Sequence, residues 1–404
     1  MEMSDRIPVF KPSFADAEFA AVQDVLSSGW IGRGPRTIEF EQAFADYVGV
    51  EHAVSVNSAT AALHIAMLLA QVDGQEVLTC SLTFVSSNQA IVLGGGRPVF
   101  CDIDPETLTI DPEEVARKVT PTTRAILVVH YAGHPCDMDP IMEVAQAHGL
   151  TVVEDAAHGC GGSYKGRMMG SLGDLGCFSF QATKNMTTGD GGMLVTNDGP
   201  LAERARKLRW VGISRPTWER FRSGEPRRSW MYEVEEVGYK YEMNDLAAAI
   251  GLAQLSRLEQ LNGERRRLLK RYREAFADLD DLAVLPQRSH AESACYSAVI
   301  RCSNRDALYA HLDAEGIDSN VHYYPNHMLP IFRSYTTRLP ETEAQWQKIL
   351  TIPLHPELST QDQDRVIDSI RRFALGETAG EASQIDEPTP LEPTPVEPTP
   401  VANA

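Results

Sequence analysis

The chain has 404 residues, of which 43% are hydrophobic and 23% charged, and it carries a formal net charge of −19. That length suggests two domains, and the composition is that of a soluble globular protein with material for a large core. The acidic balance argues against general nucleic-acid binding, which needs a basic surface, but it leaves room for an anionic small molecule in a locally basic pocket.

Seven cysteines (Cys80, Cys101, Cys136, Cys160, Cys177, Cys295 and Cys302) are odd in number and show no CxxC spacing. They read as buried reduced thiols of a cytoplasmic protein rather than a disulfide framework or a zinc site, and no metal is expected. The first six residues carry acids, with no apolar run after them, so no signal peptide is expected. No stretch reaches 18 apolar residues, which argues against a membrane helix.

In chain order, apolar strand-like runs fall at 53–56, 76–79, 98–101, 125–129, 151–154, 176–180 and 193–196, with helical patterns such as 60–70 and 140–148 between them. This alternation predicts an α/β domain with a mostly parallel sheet covered on both faces. The pattern changes near residue 245, where a long helical stretch (244–279) precedes an α+β segment. The expected division is a large α/β domain over 1–245 and a smaller α+β domain over 246–375. Residues 376–404 repeat Glu-Pro-Thr-Pro without lysine or arginine, predicting an extended, disordered acidic tail.

Three segments carry chemistry. At 56–63 a strand ends in Asn57-Ser58-Ala59-Thr60 before a helix, whose first amides and positive dipole end suit a phosphate; a plain N-cap reads the same way. At 152–159 an apolar strand ends in Glu154-Asp155, followed by His158. A buried carboxylate needs a cation, so one of the pair is expected to meet a positive group such as a protonated pyridine nitrogen, unless it only caps the strand end. At 178–192 an apolar strand is followed by Lys184 and a glycine turn, Gly189-Asp190-Gly191-Gly192, placing an amine where it can attack an aldehyde. Ser179 offers a further hydroxyl, and Phe84 follows another strand, where it can stack on a ring. Phosphate grip, strand-end acid and lysine, in that order, are the equipment for pyridoxal phosphate held as a lysine Schiff base. A nicotinamide oxidoreductase is disfavoured, because neither 94–96 nor 159–162 makes G-x-G-x-x-G between strand and helix.

These segments resemble one family. Ser179 to Lys184 with 189–192, the string 154–158, the loop 27–35 and the segment 238–245 are similar to motifs of the DegT/DnrJ/EryC1/StrS sugar aminotransferases, over about 7–373. The resemblance implies the aspartate-aminotransferase-like fold type I. It implies Lys184 as the Schiff-base lysine and proton carrier, Asp155 on the pyridine nitrogen with His158 beside it, and Phe84 over the ring. Ala59, Thr60 and Ser179 would hold the phosphate. A homodimer with shared sites is implied, in which Lys240 reaches the neighbour's phosphate. Trp30, Arg33, His322 and Tyr323 are candidate substrate contacts.

Segment 129–139 and the lysine at Lys240 look closest to the branch that makes 4-amino-4-deoxy-arabinose from a UDP-linked 4-keto pentose. The implied reaction takes an amino group, from L-glutamate, to C4 of a nucleotide-linked keto sugar. A C3-keto sugar, a keto-cyclitol, or a non-catalytic regulatory protein that binds the cofactor are the alternatives. The chain departs from its relatives at Gln181, Asp190, Lys240 and Glu242, where His, Glu, Asn, and Arg or Asn are common. The first three leave the cofactor plan intact, whereas Glu242 weakens inference about the sugar. Lys184 itself favours transamination over the dehydration catalysed by relatives with histidine there.

Overall fold

Short apolar runs become strands here because helices cover both of their faces, so neither face has to be polar. The computed structural model describes residues 6–214, 232–335 and 337–377. Its main sheet contains β1 (His52–Val56), β2 (Glu76–Cys80), β3 (Arg97–Cys101), β4 (Thr123–Val129) and β5 (Thr151–Asp155). A small hairpin, β6 (Ser163–Tyr164) and β7 (Arg167–Met168), precedes the last two strands of the sheet, β8 (Leu175–Ser179) and β9 (Gly192–Thr196). The order is β1-β9-β8-β5-β4-β2-β3, and only β9 runs against the others.

Helices α1 (Asp16–Ser28), α2 (Pro35–Val48), α3 (Ala59–Leu69), α4 (Val85–Leu93), α5 (Pro112–Lys118), α6 (Met138–His148) and α7 (Gly199–Leu208) accompany the sheet. Strand parity divides the core in two. Leu78, Ile126, Val128 and Val152 pack with Val115, Ile141 and Ala145 of α5 and α6. Their neighbours Val77, Ala125, Leu127 and Val153 pack with Leu63, Met67, Ile91 and Ala205 of α3, α4 and α7. The expected α/β architecture is therefore present, with each strand run near its expected position.

The long helix Asp245–Ala275 starts at Asn244, whose side chain accepts from the Ala247 amide at 2.9 Å. Leu258 packs among α2 and β9, while Leu268, Leu269 and Tyr272 lie in a separate core. That second core covers an antiparallel sheet built from β10 (Leu282–Val284), β12 (Ala298–Cys302) and β13 (Ile349–Ile352). Helices Arg305–Ala314 and Thr360–Ala374 complete it. Between β10 and β12, the short β11 (Ala291–Glu292) pairs with β6. Ile7 pairs with Ile317 and joins this second core, so the chain's first described residues pack with its last. Beyond Glu377 the expected acidic tail lies outside the described residues. All seven cysteines are buried and unpaired, and no helix among the described residues is long and apolar enough to cross a membrane.

One buried carboxylate locks the end of β5. Glu154 is fully buried and accepts from the amides of Gly170 (2.8 Å), Leu172 (2.7 Å) and Gly173 (2.6 Å). His130 Nε2 lies 2.8 Å away; since the Cys136 amide donates to His130 Nδ1, Nε2 carries the proton and donates to Glu154. Glu154→Ala strands these donors in the interior, and a loss of about 3–5 kcal/mol is expected in denaturant unfolding, with less for Glu154→Gln.

Candidate active site

The residue after Glu154 faces the other way. Asp155 is 4% exposed and accepts from Ser87 Oγ at 2.6 Å and the Ala157 amide at 3.1 Å, and among the described residues no cation pairs with it. Ser87 in turn shares a 2.8 Å hydrogen bond with Thr83, which holds the first turn of α4 against the strand end. Burial pushes the Asp155 carboxyl up from its ordinary range, against the opposing pull of the Ser87 and Ala157 bonds and the Lys184 charge.

The start of α3 lines the same cavity as Asp155. Ser58 Oγ caps the Ala61 amide at 3.1 Å, leaving the first-turn amides of Ala59 and Thr60 at the positive end of the helix. Gly192 makes this helix start fit, because a Cβ there would stand 2.5 Å from Ser58 C and 2.7 Å from Ala59 N. Ser179 ends β8 directly opposite Gly192. Gly189, with φ +86°, turns the chain into β9.

Lys184 stands on the loop after β8. Its amide donates to Gln181 O at 2.9 Å, and Thr183 folds back onto Gln181 Oε1. The long helix secures the loop: Asn185 donates to Asn262 at 2.8 Å, and Arg265 Nη2 donates to the Lys184 carbonyl at 3.5 Å. Lys184 Nζ lies 3.4 Å from Tyr296 Oη, and the Tyr296 ring stacks on His158 at 4.0 Å and 10°. Tyr323 Oη is 3.1 Å from His158 Nε2, and Phe84, half exposed, tilts against Tyr323 at 5.8 Å. Burial, then the Lys184 and His322 charges, push His158 well below its usual value; burial and Lys184 bring His322 to about 4. Both imidazoles are neutral at pH 7, and His158 Nδ1 has no hydrogen-bond partner among the described residues.

Thus Ala59, Thr60, Phe84, Asp155, His158, Ser179, Lys184, His322 and Tyr323 all line one cavity of about 500 Å³. Trp30, Arg33 and Lys240 do not. They line a second hollow of about 430 Å³ with Trp210 and Glu242, where Lys240 pairs with Glu242 and sits 3.5 Å above the Trp210 ring. Asp245 holds the end of this loop, accepting from the Gly34 amide (2.8 Å), the Thr37 amide (3.0 Å) and the Thr37 hydroxyl (2.5 Å). Sequence reasoning missed Tyr296, Ser87 and Phe10. Ser87 was within reach as a hydroxyl one helical turn after Thr83, whereas Tyr296 belongs to no motif.

Pyridoxal phosphate suits this donor set. Helix amides and the Ser179 hydroxyl suit an anion, a buried carboxylate without a cation suits a protonated ring nitrogen, and a lysine amine lines the same cavity. The folded chain holds the Asp155 proton more tightly than the unfolded chain does. Stability from this group is therefore present below the ordinary carboxylate range and is lost as pH rises toward the raised value. Asp155→Asn removes that loss. At pH 7 the cofactor-free variant is expected to melt no lower than wild type, while its affinity for pyridoxal phosphate in spectral titration falls steeply.

Residues 12–371 match the model of the DegT/DnrJ/EryC1/StrS aminotransferase family. The chain is 40% identical over 382 residues to the spore coat polysaccharide biosynthesis protein SpsC of Bacillus subtilis, covering 92% of this chain and 97% of that one. Among solved structures it is similar to the aminotransferase TlmJ of Streptoalloteichus hindustanus, with a TM-score of 0.86 and 39% identity over 92% of this chain and 100% of that one. The sugar aminotransferase CalS13 of Micromonospora echinospora gives 0.83 and 33%, over 90% and 99%. The chain belongs to the DegT/DnrJ/EryC1/StrS aminotransferase family, and it is a pyridoxal-phosphate-dependent aminotransferase of fold type I.

Proposed function

We propose that this enzyme moves an amino group from L-glutamate to C4 of a nucleotide-linked keto sugar, in the cytoplasm and as a homodimer. The observation that carries the reading is the convergence of Lys184, Asp155 and the α3 N-terminus on one cavity. The sugar class is supported by the named roles of SpsC and CalS13, and the C4 position by the likeness of 129–139 to the amino-arabinose branch.

When bound, pyridoxal phosphate supplies an aldehyde that takes up amino groups and a ring that withdraws electrons. The chain's own residues do the rest. The α3 amides with Ser179 and Thr60 would hold the phosphate, and Asp155 would keep a proton on the ring nitrogen. Neutral His158 and the half-exposed Phe84 line the same cavity and would pack against the ring without competing for charge. With the cofactor bound, Lys184 Nζ would take the proton from the donor's α-carbon and return it at the carbon of the cofactor's former aldehyde, and for the keto sugar it would carry a proton the other way, from that carbon to the former keto carbon. His322, Tyr323 and Asn320 line the same cavity and remain available to sugar hydroxyls.

The second hollow offers an arginine, a lysine and two tryptophans, groups that suit a phosphate or diphosphate and a nucleobase. None of its lining residues lines the cavity of its own protomer, which supports a dimer in which each hollow completes the neighbour's site. The buried, unpaired cysteines fit a reducing compartment.

Purified holoenzyme is expected to show a visible band that L-glutamate bleaches, with turnover on UDP- or dTDP-linked 4-keto sugars exceeding that on 3-keto sugars and keto-cyclitols. Lys184→Ala should lose the band and about 10²–10⁴-fold in turnover. A band that glutamate leaves untouched would exclude this donor, and preference for a 3-keto sugar would move the reaction site. In a separate test, Lys184→Ala and Lys240→Glu are each expected to be nearly inactive. Co-expressed, they should regain activity, because a mixed dimer contains one site with both native residues; no recovery would place Lys240 outside the shared site.

A further inference from the structure

Tyr296 meets Lys184 in two ways. Its hydroxyl lies 3.4 Å from Lys184 Nζ, and its ring centroid lies 4.5 Å from the same nitrogen. The ring is clamped between His158, stacked at 4.0 Å, and Phe10, stacked at 5.0 Å, and the residue is 3% exposed. Thr183 Oγ1 lies 3.5 Å from the same hydroxyl. Behind this layer, the hydrogen bond between Tyr323 and His158 Nε2 fixes the imidazole plane on which Tyr296 rests. A phenol held in this way has one main freedom, rotation of its hydroxyl hydrogen.

That freedom matters for a lysine that carries protons. A phenol hydroxyl accepts from an ammonium and donates to a free amine, so it can partner Lys184 in both protonation states. The ring face attracts only the ammonium. In transamination the donor's amine displaces the lysine amine, which must then stay beside the reacting carbons although four rotatable bonds allow it to leave. A displacement of about 1 Å at such a group can cost about 100-fold in rate.

We propose that Tyr296 is the positioning residue for the displaced Lys184 amine, holding Nζ beside the reacting carbons whether it is protonated or free. The inference rests on the aminotransferase reaction and not on which sugar accepts the amine. It assigns a role in the reaction to a residue outside every motif that places the cofactor.

The test uses the full-length holoenzyme in the donor half-reaction alone, with L-glutamate or whichever natural L-amino acid converts the wild type. Tyr296→Phe keeps the stacked ring and removes the hydroxyl. The lysine-dependent band and the apparent KM for the donor should stay near wild type. The rate of the half-reaction should fall, by up to about 100-fold, and the primary isotope effect with α-deuterated donor should rise. Tyr296→His, a flat ring that can again donate and accept, should recover part of the rate. A Tyr296→Phe enzyme with wild-type rate and isotope effect overturns the proposal, as does one whose defect lies in KM or in loss of the band. Lys184→Ala serves as the control: if it kept the band, the lysine assignment beneath the proposal would fall instead.

Discussion

Successive side chains of a strand point to opposite faces, and at the end of β5 this parity gives two adjacent carboxylates opposite tasks. Glu154 turns inward, where three amides and His130 satisfy it, and it anchors the loop around 170–173. Asp155 turns toward the cavity, where one hydroxyl and one amide leave a buried charge without a cation. Desolvation is the cost of that placement, and a protonated ring nitrogen is the kind of partner that would offset it. The chain leaves that interaction open for a bound cation, while the strand that presents Asp155 is held by Glu154 on its other face.

The lysine loop is fixed in a different way. It has no regular structure of its own, so its precision is borrowed from the long helix, through Asn262 and Arg265, and from the aromatic layer of Tyr296, His158 and Phe10. The helix spans the molecule, packing against α2 and β9 near one end and within the second core near the other. It thus couples the loop that carries Lys184 to the smaller sheet, beside which the loops carrying Tyr296, His322 and Tyr323 run. At its N-terminus Asp245 caps α2 and secures the loop that carries Trp30 and Arg33, so one helix organises both hollows.

Parity and alternation were legible without coordinates. The strand runs, the helix start at Ala59, the strand-end acids and the glycine turn after Lys184 are local patterns, set by side-chain period and by backbone conformations that only certain residues adopt. Resemblance then separated Asp155 from Glu154, which the residues alone left open. Tyr296 was not legible. It lies in 293–297, a stretch with no periodic pattern, and its importance comes from a neighbour 112 positions earlier in the chain.

The sequence by itself therefore determined the fold class, the order of the phosphate, acid and amine groups, and the family, because each is written in short segments whose physics is local. Only the tertiary structure decided which donors satisfy Glu154, and that Trp30, Arg33 and Lys240 line a hollow that Lys184 does not. It also decided that a stacked tyrosine stands beside the reactive amine. Those outcomes depend on contacts between residues far apart in the chain, made only once the main sheet, the long helix and the smaller sheet pack together.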